Sequence, residues 1–156
     1  MSTEATLERL ADRISIRDLR SRYCYRIDDR DFQSLPDLFT ADATLDYGGL
    51  GTYQGRDGVR EFTEFVAESL ERTTHLLANP VISVGTDGGR DRATGRLYVI
   101  ASITYADGTG GWRIGEYRDE YRRVDGEWLI DEARMRFTHS MDYDPEIGWP
   151  DFTPHG

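Results

Sequence analysis

The order of hydrophobic periods in this chain predicts an α+β fold: helices first, then a curled, mostly antiparallel sheet. Three observations carry that expectation. Apolar residues recur at three- and four-residue spacing from Leu7 to Ile27 and again from Val59 to Leu70, as on amphipathic helices. After Glu71 the period falls to two. Three turn signals, Asp87-Gly88-Gly89, Asp107-Gly108 and Asp125-Gly126, then divide β-branched and aromatic segments into four strands, roughly 73–86, 90–106, 110–124 and 127–139. Helices covering the concave face of such a sheet give a cone-shaped α+β barrel with an internal cavity.

The first helical stripe runs Leu7, Leu10, Ala11, Ile14, then shifts phase to Ile16, Leu19, Tyr23, Ile27. Ser15-Ile16-Arg17-Asp18 resembles a capping box, so the stretch predicts either two helices or one with a kink. Phe32 to Phe39 reads as a short helix with Pro36 near its first turn. Ala43 to Tyr47 alternates as a strand does, Gly48-Gly49-Leu50-Gly51 is a turn, and Thr52-Tyr53-Gln54 is a brief strand. A second helix opens at Arg56 and ends near Glu71. In the last strand Trp128 and Ile130 share one parity while Ala133, Met135 and Phe137 share the other. A bulge near Asp131-Glu132 would repair that break and bend the strand. The tail, 140–156, holds Tyr143, Trp149, Phe152 and three prolines, and is expected to cover the pocket mouth or a subunit interface.

The chain has 156 residues, enough for one domain with a sizeable core, and a formal net charge of −10. That charge argues against nucleic acid or an anionic membrane surface as partner. The 19 basic residues are all arginine, which excludes a lysine Schiff base. Cys24 is the single cysteine and reads as a small buried hydrophobe. No window approaches ~18 apolar residues and the N-terminus lacks a signal-type apolar core, so a cytoplasmic protein is expected.

His75, His139 and His155 are scattered, without an acidic companion at ligand spacing, and do not read as a metal site. On spacing alone His75 is a structural residue of a strand. Asp28 closes the first helix among Tyr23, Cys24, Tyr25, Asp29 and Asp31, an unfavourable place for a carboxylate unless a partner meets it. Tyr23 and Asp28 diverge by ~140° on a straight helix, so they share a pocket only if its wall wraps around the helix end.

These residues carry a resemblance. Ile16-Arg17-Asp18-Leu19, Tyr23 with Asp28, Leu38 to Ala43, Gly55-Arg56-Asp57-Gly58, Thr74-His75 and Tyr121 to Trp128 are similar to the nuclear-transport-factor-2-like superfamily, in its SnoaL-like and scytalone-dehydratase-like branch. The likeness spans about Leu7 to Asp144. Tyr23, Asp28 and His75 match the pattern of the bile-acid 7-alpha-dehydratase family, which also has a strand like Thr94-Gly95-Arg96-Leu97-Tyr98 and a pocket arginine near Arg136. Hexachlorocyclohexane dehydrochlorinases pair an Asp and a His at the places of Asp28 and His75 but have a lysine where this chain has Tyr23. Scytalone dehydratases have that Asp and His and a tyrosine like Tyr47, but their second histidine falls at about Ser102.

The resemblance implies a cofactor-independent lyase. His75 would be the general base, Asp28 its orienting partner, and Tyr23 or Tyr47 a hydrogen-bond donor to the leaving oxygen or developing enolate. Arg136, or neighbouring Arg134, would supply positive charge, and Ser102 would contact substrate. The expected substrate is a small hydroxy-carbonyl compound, polycyclic ones included, and no metal or organic cofactor is required. Isomerisation or polyketide-type ring closure, and a ligand-binding or assembly subunit without chemistry, stay open. Epoxide hydrolysis would need an Asp-Arg-Asp cluster that the sequence does not place. The lyases it resembles are trimers, so a homotrimer is expected ahead of a dimer.

Overall fold

The computed structural model describes residues 2–85 and 89–143. The chain opens on a single unbroken helix, α1 (Thr3–Asp28), capped by the Ser2 side chain, which accepts from the Ala5 N–H at 3.2 Å. The phase shift in its apolar stripe is real but does not divide it. Leu7, Leu10 and Ile14 ride off the sheet, exposed, while Ile16, Leu19, Tyr23, Cys24 and Ile27 are buried on it. Arg30 adopts a left-handed φ of 59° just past the helix end and turns the chain.

A 3-10 turn, Leu35–Leu38, takes the place of the expected short helix. Pro36 sits in its first turn, where the missing N–H costs nothing, and the chain becomes extended at Phe39. Then follow β1 (Phe39–Asp46), a second 3-10 turn (Gly48–Leu50), β2 (Thr52–Gln54) and α2 (Gly55–Ser69). Four long strands complete the chain: β3 (Leu70–Val84), β4 (Arg92–Tyr105), β5 (Gly110–Val124) and β6 (Glu127–Asp142).

The six strands form one sheet in the order β2-β1-β6-β5-β4-β3. Every pairing is antiparallel except β1 with β6, which is parallel. The sheet ends on β2 and β3 and does not close, so the cone is an open one rather than a barrel. Its curl has visible causes. Glu120 pairs with Glu132 and Tyr121 with Ile130, which leaves Asp131 as the extra residue of a bulge at the position the parity break indicates. A second irregularity skips Asn79 and Pro80 in β3, where Asn79 takes a left-handed φ of 52°.

Side chains alternate along the strands, so Val99, Ala101, Tyr117 and Met135 face the helices while their neighbours face out. The helices lie in the concave side, and the core sits between. Asp87 and Gly88 of the first expected turn lie outside the described residues. So does the tail from residue 144, with Trp149, Phe152 and His155. Ser140 to Asp142 belong to β6. Among the described residues no helix is long and apolar enough to cross a membrane.

Candidate active site

Three elements bring a carboxylate to an imidazole. Asp28 is the last residue of α1, and α2 runs directly into β3 with Leu70 as its cap. Arg30 ties those two places together. Its guanidinium donates to the backbone carbonyls of Ala67 at 3.1 Å and Glu71 at 3.2 Å, and to that of Leu70, so it caps the end of α2. The clamp holds the end of α1 against the opening of β3, where Thr73 and His75 share the inward face.

Asp28 accepts three hydrogen bonds there. The His75 ring Nδ1 lies 2.6 Å from Oδ1, the Thr73 hydroxyl donates to Oδ1 at 2.7 Å, and the His75 backbone N–H donates to Oδ2 at 2.9 Å. The unfavourable end of the helix is thereby answered by three donors. Burial alone would push the Asp28 carboxyl up. The hydrogen bond and charge of the His75 ring, together with the His75 N–H and Thr73, outweigh it and hold the carboxyl below its usual value. Both side chains are largely but not fully covered, at 10% exposure for His75 and 15% for Asp28.

His75 lines a cavity of about 90 Å³ under the cone, walled by Ile27, Phe62, Val66, Val99, Ala101, Met135 and Phe137. The Tyr23 and Tyr47 phenols line it too, their oxygens 2.8 Å apart. The wall does not wrap around the helix end, and Tyr23 and Asp28 do not share it: the α1 residues that line the cavity lie one turn apart on one face. Tyr23 and Ile27 face the cavity from α1, while Asp28 stands behind the imidazole and touches it through His75.

Ser102 and Arg136 are not brought to this cavity. Ala101 pairs with His75 and faces in, so Ser102, one residue on, faces out, where its hydroxyl meets the Tyr143 hydroxyl at 3.1 Å. Met135 and Phe137 line the cavity, so Arg136 between them lies on the outer face. There it pairs with Asp46 at 2.6 Å and is half exposed. Arg134 has the same parity and pairs with Glu132. The expected cavity arginine is therefore neither of these.

The positive charge near the cavity comes from a residue the sequence reading passes over. Arg20 is 1% exposed, on the inner stripe of α1 between Ile16 and Tyr23. Its guanidinium carbon sits 3.6 Å from the Tyr117 ring centre and 4.3 Å from that of Tyr23. Asp119 holds it from β5: Arg20 Nε is 3.1 Å from Oδ2 and Nη2 3.4 Å from Oδ1. The clasp is loose, and Nε and Nη1 make no hydrogen bond of normal geometry. Burial would lower the Arg20 pKa, but Asp119 and the three surrounding phenols raise it well above its ordinary value, so it stays charged. Tyr121 donates to Asp119 Oδ2 at 2.8 Å, and its ring fits only because residue 95 is glycine: a Cβ there would come within 2.8 Å of the ring. A charged residue in an otherwise apolar helical stripe, facing Asp119 at inward parity, is the signal that marks this pair.

Cys24 is buried and its thiol is pushed up to about 12 by burial, so it is no nucleophile. Among the described residues no group of three or more His, Cys, Asp or Glu side chains converges as metal ligands would.

The fold is thus an open α+β cone with an imidazole–carboxylate pair and a phenol pair at one apolar cavity. The profile of the SnoaL-like domain matches residues 8–134, and the chain belongs to that family, within the nuclear-transport-factor-2-like superfamily. An uncharacterised protein of Mycobacterium tuberculosis is 30% identical over 128 residues, 78% of this chain and 82% of that one. Hexachlorocyclohexane dehydrochlorinase 1 of Sphingobium indicum is 27% identical over 152 residues, 96% of this chain and 94% of its own. Among solved structures, a scytalone dehydratase-like protein of Novosphingobium aromaticivorans superposes with a TM-score of 0.80 at 26% identity, covering 89% of this chain and 92% of that one. Relatives of these two latter kinds are lyases, and the fold and relatives together support a lyase- or isomerase-like family.

Proposed function

We propose that this protein is a cofactor-independent lyase of the dehydratase kind, with His75 as general base and Asp28 as its orienting partner. The observation that carries the reading is the 2.6 Å contact between His75 Nδ1 and Asp28 on a ring that lines the cavity. With Nδ1–H committed to the carboxylate, Nε2 is the nitrogen free to take a proton. It removes a C–H proton beside a carbonyl, and the freed electron pair forms the new C=C bond as the C–O bond at the next carbon breaks. The imidazolium returns the proton to the departing oxygen, water leaves, and the imidazole is neutral again. Asp28 stabilises the imidazolium in between. Tyr23 or Tyr47 donates to the substrate's carbonyl oxygen as negative charge gathers there. Where no group leaves, the same base can return the proton to another carbon, which is isomerisation or ring closure.

The cavity favours a compact substrate. About 90 Å³ is well below the ~300 Å³ at which pockets for drug-sized ligands begin. Its walls are mostly apolar, and neither Arg134 nor Arg136 lines it. A neutral, single-ring or short-chain hydroxy-ketone fits this better than a fused polycycle. Turnover of a panel of such hydroxy-ketones, followed by mass spectrometry for loss of water, tests the reading. His75→Gln should keep the fold and lower turnover about 10²-fold or more. Full activity in that variant removes the base from the mechanism.

We also propose that the protein is a homotrimer assembled through the outer sheet face, where Leu76, Ile100 and Ile114 form a row across three strands. Light scattering that reports a monomer at micromolar concentration overturns this.

A further inference from the structure

We propose that Arg20 is a positioning residue of the cavity: its buried charge, held by Asp119, polarises the Tyr23–Tyr47 phenol pair into a donor site for an anionic oxygen on the bound ligand. The inference rests on the oxygen-donor role given to these phenols above, and not on His75.

The geometry has three parts. First, the phenol oxygens lie 2.8 Å apart, so one hydroxyl donates to the other and the acceptor's own proton is left to point elsewhere. Both residues line the cavity, and a hydroxyl that accepts one hydrogen bond becomes a stronger donor of its own. Second, the guanidinium stacks on the Tyr23 and Tyr117 rings, and the Tyr47 hydroxyl is close enough to feel it. A cation against a phenol favours negative charge on its oxygen, and hence a stronger hydrogen bond to an anion. Third, the pair with Asp119 does not cancel this field. Asp119 meets the guanidinium only along its Nε and Nη2 edge, and its Oδ2 also accepts from Tyr121. Tyr23 and Tyr47 respond more to Arg20 than to Asp119. The ion pair therefore acts as a fixed dipole with its positive end toward the phenols.

The ionisable groups around Arg20 are Tyr23 and Cys24 on its own helix, Tyr47 after β1, and Tyr117, Asp119 and Tyr121 on β5. Burial pushes every one of these phenols up, so they remain protonated donors near neutral pH. A full ion pair in a hydrophobic core is a poor means of stabilising a fold, because the desolvation penalty offsets most of the attraction. An Nη1 without a hydrogen bond makes it poorer still. A field aimed at a ligand site gives the arrangement a use.

The test measures binding of para-nitrophenolate, an anionic oxygen on a single ring, against the neutral para-nitroanisole. The wild-type protein should prefer the phenolate. Arg20→Met with Asp119→Asn, which removes the charge without stranding the carboxylate, should lower phenolate affinity about tenfold and leave anisole affinity unchanged. Arg20→Lys should keep most of the preference. Asp119→Asn alone should move it the other way, raising phenolate affinity about two- to threefold, and it gives an answer even if the double variant does not fold. No preference in the wild type, equal loss for both probes, or a fall in Asp119→Asn overturns the proposal. The lyase reading stands or falls separately on His75→Gln turnover.

Discussion

Two of the acid–base pairs that join α1 to the sheet are built in opposite ways. Asp28–His75 lies at the helix end, partly reached by solvent, with three well-formed donors on one carboxylate. Arg20–Asp119 lies two turns earlier, sealed from solvent, with long contacts and an unbonded Nη1. In the proposed lyase reading, the first pair offers a proton acceptor at the cavity whose partner can stabilise the charge it gains. The second holds a charge that has no means of leaving. A proton-transfer group needs contact with its ligand and good hydrogen bonds, whereas a source of electric field needs only burial and a fixed place.

Substitutions can break this contrast. The largest effect on stability should come from Arg20→Met alone, which strands Asp119 in the core: denaturant unfolding should show a loss of about 3–5 kcal/mol, part of it recovered by adding Asp119→Asn. If Arg20→Met is harmless, the core pair is not the charged dipole described. At the cavity the effect should fall on turnover instead. His75→Gln and Asp28→Asn should each slow the reaction by about 10²-fold or more, and the double variant should be little worse, because the two act as one unit. Additive losses would mean two separate roles.

A smaller effect is expected from acid. The Asp28 carboxyl is held below its usual value in the fold, so its contribution to stability is fully present above the unfolded value of about 3.9 and is lost as pH falls through the lower folded one. Melting temperature against pH should therefore drop less steeply below about pH 4 in Asp28→Asn than in the wild type. The smallest effect belongs to Arg136→Ala. Its ion pair with Asp46 is half exposed on the outer face and screened by solvent, so both denaturant unfolding and turnover should stay close to wild type. A large loss of turnover would return Arg136 to the cavity.

The sequence shows the layout because periodicity is local. The change of period after Glu71 and the Asp-Gly turns locate the long strands, and the parity break between Ile130 and Ala133 locates the Asp131 bulge. Partner choice is not local. Nothing in the alternation of β1 says that it lies parallel to β6, and the three-residue β2 carries almost no pattern of its own. Ser102 and Arg136 depend on which parity of a long strand faces in, and that is set by the register of β3 on β4 and by two irregularities in β6. Arg20 was legible in principle: an arginine three residues before Tyr23, within an apolar stripe, requires a buried counter-charge.

The parallel seam between β1 and β6 has a consequence for how the molecule forms. Phe39 meets Ile130 across it, so the two edges belong to opposite ends of the chain. The β3–β6 meander can zip from its turns, but β1, β2 and α2 have no sheet to join until the last strand exists. Loop closure over so long a span is entropically expensive and slow, so refolding should be limited by this late docking. A ribosome would have to release nearly the whole chain before the first half could find its place, and until then the apolar face of α2 stands open to chaperones.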